Sequence, residues 1–296
     1  VTTPTIPHRQ AVAGMLLVTL MWSIAGVVTR QLESAHSFEV TFWRSFFTAV
    51  ALALYYAVAH GRDTPRLLAA GGKPLWISGL MWSVMFTCFM VAITLTTVAN
   101  VLITMSVAPL LTALLARFML GQRVAPRTWA AIAVAGGGIA WMYGNSISAD
   151  GTHLLGTLVA LGVPIAGAIN WNTLQRSGRS VDLLPALLIG ALISSALTLP
   201  LSLPFHATAH DVLWLAVLGV FQLAIPCTIA VRLSRSLAAP EISLLALLEI
   251  IFGIAWAWWG ANEQPSPQVL AGGALVLGTL ALNEAWGMWG MKVRHA

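Results

Sequence analysis

The sequence predicts an all-α membrane protein, ten transmembrane helices arranged as two inverted five-helix repeats around a central cavity, and three observations predict it. The first is composition. Of 296 residues, 58% are hydrophobic and 8% charged, against about 45–50% and about 25% in soluble domains, and the mean hydropathy is +0.83. So few charges cannot cover a water-soluble globule of this size, and so much apolar content excludes disorder. The second is segmentation. Charged, Pro and Gly clusters cut the chain into ten apolar segments, 10–30, 38–60, 75–95, 98–119, 127–145, 154–175, 182–203, 211–233, 238–260 and 267–289. Each is near the roughly 20 residues that one crossing takes, and too little chain is left for a folded soluble domain.

The third observation is where the basic residues fall. With the start of the chain on the cytoplasmic side, thirteen of the fifteen Lys and Arg lie in or beside inner connections: Arg9; Arg62, Arg66 and Lys73; Arg117, Arg123 and Arg127; Arg176 and Arg179; Arg232 and Arg235; Lys292 and Arg294. Only Arg30 falls on the outer side, and Arg44 lies within segment two. The outer connections carry Glu33, Asp150, Asp211 and Glu263 instead. This asymmetry predicts both ends of the chain on the cytoplasmic face, and it supports the segment count because one missed helix would scramble it. The net charge of +5 does not point to nucleic acid, since the basic residues are scattered singly rather than clustered on a soluble face. The run from Ala11 is long enough to span and is read as a span, not a signal peptide. Cys88 and Cys227 lie in apolar stretches and are read as buried thiols rather than a disulfide or a metal site.

Between segments three and four only Thr96 and Thr97 are left, which predicts a tight antiparallel pair. A weak internal repeat divides the chain at 150. A shift of 141 residues pairs Ala116 with Ala257, Pro126 with Pro267, Ala130 with Ala271, Gly137 with Gly278 and Ala140 with Ala281. Residues 1–150 then form one repeat and 151–296 the other. Five spans per half is an odd number, so the second half is inverted, and inverted repeats about a midplane site mark secondary transporters.

Several residues in order resemble the EamA-type domain of the drug/metabolite transporter superfamily. They are Trp22-Ser23, Arg44-Ser45-Phe46, the run from Ala99 through Ala108-Pro109 to Leu120-Gly121-Gln122, Trp129, Gly136 to Gly138, and in the second half Pro240, Leu248-Glu249 and Glu263. Departures are Gln122 where the family usually has Glu, Ala261-Asn262 before Glu263 in place of Leu-Gly, and Ile250 in place of a proline. The resemblance covers both halves as tandem EamA-type domains. It implies a multi-pass transporter of the bacterial inner membrane, and at subfamily level it is similar to amino-acid exporters, aromatic amino-acid exporters of the YddG type included.

Ionisable groups deep in the spans are few, and each costs about 2.5–3.5 kcal/mol at the bilayer centre on insertion scales. Glu249 is the deepest, about eleven residues into segment nine; it is protonated, hydrogen-bonded or facing a wet cavity. Its readings are a proton-coupling or substrate-amine site, or a tie between helices. Arg44 lies some 9 Å from the outer end of segment two at about 1.5 Å per residue. It snorkels outward or tethers a helix, or it holds a carboxylate in a bidentate fork. Trp22, Trp82, Trp171 and Trp256 lie deeper than the other sorted tryptophans, which fit an interfacial belt. With Phe86 they offer an apolar lining for flat or branched substrates. Asn100, Thr104 and Gln222 lie on expected inner faces, where a buried amide needs partners. Pro109, Pro164 and Pro226 interrupt segments four, six and eight and mark hinges.

The expected substrate site is therefore Trp22, Trp82, Phe86, Asn100, Thr104, Trp171, Gln222, Glu249 and Trp256. No cofactor and no metal is expected, and no HExxH, nucleophile elbow or P-loop occurs, so the chain is read as a gradient-driven carrier rather than an enzyme. Its expected partners are a small-molecule substrate, lipid and protons, without nucleic acid. The resemblance favours export of amino acids. A drug, an organic acid or a nucleotide-sugar as substrate, or a channel, shares most of these features, although an anionic sugar phosphate would want more intramembrane cations than Arg44.

Overall fold

The computed structural model describes residues 6–61, 64, 71–120, 126, 129–131, 133–134, 137–138, 141, 151–177, 183–233, 236–237 and 239–295. Every long element among them is a helix. We number these α1 (His8–Thr29), α2 (Ser37–His60), α3 (Gly72–Leu95), α4 (Val98–Met119), α5 (His153–Leu174), α6 (Pro185–Ser202) and α7 (Ala209–Leu233), each long and apolar enough to cross a membrane. Next come α8 (Ala239–Ala261) and α9 (Pro267–His295), 23 and 29 residues long, with apolar stretches at Leu248–Ala261 and Pro267–Thr279. Helices α1 to α4 are the predicted segments one to four, and α5 to α9 are segments six to ten. Segment five, 127–145, lies mostly outside the described residues.

Local chemistry sets the helix ends. Thr208 and Asp211 form a reciprocal capping box at the start of α7, which satisfies two donors that the helix itself leaves open. Thr97 caps α4 by accepting from the Asn100 amide at 3.2 Å. Gly61 ends α2 at φ +50°, donating to the carbonyls of Ala57 and Tyr56, a left-handed stop that suits glycine.

Prolines set three interruptions inside helices, because proline has no N–H for the carbonyl four residues back and its ring crowds that carbonyl. Pro109 stands four residues after Met105, where the first piece of α4, Val98–Met105, ends. Pro164 stands four after Ala160, the last residue of the piece Gly151–Ala160. Pro226 stands four after Gln222, inside the π-helical segment Leu218–Ala224 of α7. All three expected hinges therefore coincide with an irregular turn. Helix α1 is also broken, between Ser23 and Ala25, with no proline nearby. There the Gln222 side chain donates through Nε2 to the Trp22 carbonyl at 3.1 Å, and a side chain entering the backbone ladder kinks a helix.

In the packing, α6 lies against α2 and α3, α5 against α3 and α4, α1 against α7 and α8, α2 against α7, and α4 against α8. The α2–α7 crossing is the tightest approach to the polar centre. A Cβ on Gly219 would stand 2.6 Å from the Arg44 carbonyl oxygen and 2.7 Å from the Cβ of Phe47. Thr48 Oγ1 uses that closeness to donate to the Gly219 carbonyl at 2.9 Å. Ser194 on α6 meets Ser45 of α2 and Thr87 of α3, each at 2.9 Å between hydroxyl oxygens, so hydroxyls join the seam of three apolar helices. One expectation is corrected. The two-residue turn at Thr96 and Thr97 does not make α3 and α4 a close pair; they splay, and α5 packs against both. Small residues on α5 allow this, Gly156 facing Leu95 and Thr96 and Gly162 facing Cys88.

Candidate functional site

Arg44, 1% exposed, is the largest side chain buried to that degree. Its Nε and Nη2 both donate to Oε1 of Gln222, at 3.1 and 2.9 Å. Gln222 passes the connection to the Trp22 carbonyl at the α1 break. A single amide thus links α2, the π-helical part of α7 and the broken part of α1. The guanidinium carbon stands 5.6 Å from the ring centre of Phe89 on α3, a cation–π distance. Nη1 is fully buried and meets no acceptor among the described residues.

Glu249 of α8 is half-buried. Its charge and that of Arg44 act on each other, and no ion pair within 4 Å joins them. Cys227, buried on α7 just beyond Gln222, is hydrogen-bonded by the Trp22 side chain and senses both charges. Five helices therefore meet at one small polar cluster.

Of the nine expected site residues, Trp22, Gln222 and Glu249 come together here. Trp82 and Phe86, each 3% exposed, lie 5.5 Å apart between ring centres. They share an apolar cluster with Cys227, and Trp22 packs against it. Asn100 and Thr104 lie elsewhere. Asn100 Nδ2 donates to Thr96 Oγ1 at 3.1 Å, Thr96 Oγ1 meets His153 Nδ1 at 3.2 Å, and Thr104 Oγ1 donates to the Asn100 carbonyl at 2.7 Å. These bonds tie the start of α4 to α5. Trp171 is half-buried on α5 between two buried amides, Asn170 and Asn172. Trp256 is 36% exposed and packs on Trp259. Arg44, Phe89 and Cys227 are additions to the expected set. For Arg44 the signal was in the sequence, a lone cation inside an apolar run; for Phe89 and Cys227 there was none, since each looks like ordinary span residue.

At the Arg30 end of the bundle the helices are stitched together. Arg30 donates through Nε to Glu263 at 2.9 Å, through Nη1 to the Ile93 carbonyl at 3.0 Å and through Nη2 to the Thr96 carbonyl at 2.9 Å. Glu263 also accepts the Val98 amide at 2.6 Å. Two buried carboxylates add crossed straps. Glu39 at the start of α2 accepts the amides of His206 and Ala207 before α7. Asp211 at the start of α7 accepts those of Glu33, Ser34 and Ala35 before α2.

Residues 9–144 match the model of the EamA-like transporter family. That match lies within the first half of the chain. A solved protein crystal structure is similar in fold with a TM-score of 0.63, at 18% identity, covering 92% of this chain and 96% of its own. No curated protein matches the chain. The shared fold thus runs well past the matched residues, through α5 to α9. Residues 9–144 contribute Trp22, Arg44 and Phe89 to the cluster, and the second half contributes Gln222, Cys227 and Glu249.

Proposed function

We propose that this chain is a secondary transporter of the drug/metabolite type. It carries small metabolites, amino acids and aromatic ones among them, out of a bacterial cell across the cytoplasmic membrane by alternating access. The observation that carries the reading is the buried polar cluster of Arg44, Gln222 and Glu249, set where the broken α1 meets the π-helical turn of α7. Irregular backbone and ionisable side chains at membrane depth are tolerated where they line a site. Trp22, Trp82 and Phe86 share one aromatic-rich cluster and Phe89 lies by Arg44, and aromatic rings suit flat side chains.

The proposal reads the chain as two inverted repeats, α1 to α4 plus segment five against α5 to α9. Under that pairing α2 and α6 are mates, as are α4 and α8, and each of these pairs is in contact. The α3–α6 contact has its counterpart in α7–α2, α3–α5 in α7–α1, and α4–α5 in α8–α1. Rocking of one repeat against the other would open one end at a time. The stitched Arg30 end is then the closed one, and the basic asymmetry of the sequence places it on the outer face.

The test is counterflow. Proteoliposomes loaded with unlabelled phenylalanine should accumulate labelled phenylalanine from outside in a saturable way, with competition by tryptophan and leucine and none in protein-free vesicles. Absence of accumulation by folded protein discards amino acids as the cargo. Flux that does not saturate discards the carrier in favour of a pore.

A further inference from the structure

The most unusual group in the molecule is the Arg44 guanidinium. It is 1% exposed, and its partner Gln222 is neutral, accepting two of its N–H bonds on a single oxygen. Nη1 keeps its donors, with no acceptor among the described residues. A buried donor on a charged group without a partner is costly, and a buried charge without a counter-charge more so. The opposite charge is present but held apart: Glu249 acts on Arg44 electrostatically without reaching it as an ion pair. A cation with spare donors thus lies within electrostatic reach of a carboxylate that it does not pair with, and its guanidinium carbon stands 5.6 Å from the ring centre of Phe89.

We infer that Arg44 and Glu249 are the two poles of a zwitterion site, with Nη1 of Arg44 binding the substrate's carboxylate and Glu249 its ammonium group. The inference rests on the transporter reading above and names the headgroup that the site selects. Net charge argues for it. The pair sums to zero, so a zwitterion leaves the buried cluster neutral, whereas a dicarboxylate or a phosphate monoester leaves it negative. Gln222 is the positioning residue: by occupying Nε and Nη2 it aims Nη1 away from α7. The guanidinium fork suits a carboxylate because it presents parallel donors to the two oxygens.

The test is calorimetric binding to the purified full chain in detergent, with three probes that share a phenyl group: L-phenylalanine, phenethylamine, which lacks the carboxylate, and 3-phenylpropionate, which lacks the ammonium. The wild type should bind phenylalanine at least roughly 30-fold more tightly than either analogue. Arg44→Gln should bind phenylalanine and phenethylamine equally, and Glu249→Gln should bind phenylalanine and 3-phenylpropionate equally. If Arg44→Gln does not fold, Arg44→Lys serves: it keeps the charge but not the fork, and its preference for phenylalanine over phenethylamine should shrink. A wild type that prefers phenylalanine, with variants that keep the full preference, overturns the site and leaves amino-acid transport standing. Equal binding of 3-phenylpropionate and phenylalanine to the wild type overturns the role of Glu249. A folded wild type that binds none of the three overturns the amino-acid reading, and this inference with it.

Discussion

Gln222 is the residue on which the polar cluster turns. Its carbonyl oxygen takes two bonds from Arg44 and its amide nitrogen breaks α1 at Trp22. Gln222→Leu fills the same volume but strands the guanidinium, and leaving a buried donor without its acceptor costs about 1–3 kcal/mol, more for a charged group. The variant should melt well below the wild type, and an unchanged melting temperature in detergent would mean that Arg44 has another acceptor. Glu249 carries a different expectation. Holding an ammonium requires the carboxylate to be ionised, so protonation removes the attraction and binding of phenylalanine should weaken as pH falls. The charge of Arg44 on α2 acts on Glu249, and Glu249 acts in turn on Cys227 of α7. Of the helices packed on α8, α1 and α4 keep their ionisable residues, His8, Arg9 and Arg117, near the predicted inner ends, and α9 carries Glu284, Lys292, Arg294 and His295. Glu249→Gln should bind with a flat pH profile; a profile that still falls in acid would assign the titration elsewhere.

At the scale of the element, proline made the kinks legible in advance. A missing N–H acts locally, so Pro109, Pro164 and Pro226 marked α4, α5 and α7 from sequence alone. The break in α1 was not legible, because its cause lies 200 residues away in Gln222. The same limit explains Asn100 and Thr104. Both are buried, as expected of an inner face, and Asn100 bonds Thr96, which meets His153 of α5, a pairing that no local pattern announces. The crossed straps are a further case. Asp211 was legible as an outer-connection acid, but not as the acceptor for three amides of the α1–α2 connection. Charge-assisted bonds of this kind contribute about 1.5–3 kcal/mol each at most. Asp211→Asn keeps the shape and loses the charge, so it should destabilise by roughly 2–4 kcal/mol, read as a lower melting temperature. A change within about 0.5 kcal/mol, the range of ordinary surface substitutions, would mean that the strap adds little.

For the whole molecule, the positions of the seven candidate spans were readable because hydropathy is the dominant signal of a membrane helix, while the order of packing was not, because helices that are apolar all round do not announce their neighbours. What packing adds is an asymmetry between the two ends of the bundle. At one end the ion pair of Arg30 and Glu263 joins α1, α3, α4 and the α8–α9 connection. Under the alternating-access proposal this end comes apart, so the latch must be strong enough to hold and weak enough to release. Its exposure fits that demand: the side chains of Arg30 and Glu263 are 30% and 16% exposed, and partly exposed pairs contribute only about 1 kcal/mol. Adding the bond from Glu263 to the Val98 amide brings the total to roughly 2 kcal/mol. Glu263→Gln removes the charge from both contacts and, if the open state lacks them, should raise its population relative to the closed one by about 5- to 30-fold. Spin labels at His153 and Gln264, both exposed at this end, report the change as a longer-distance population in the variant. An identical distance distribution in wild type and Glu263→Gln would show that the pair braces the bundle in every state, and that the crossed straps of Glu39 and Asp211 hold the gate instead.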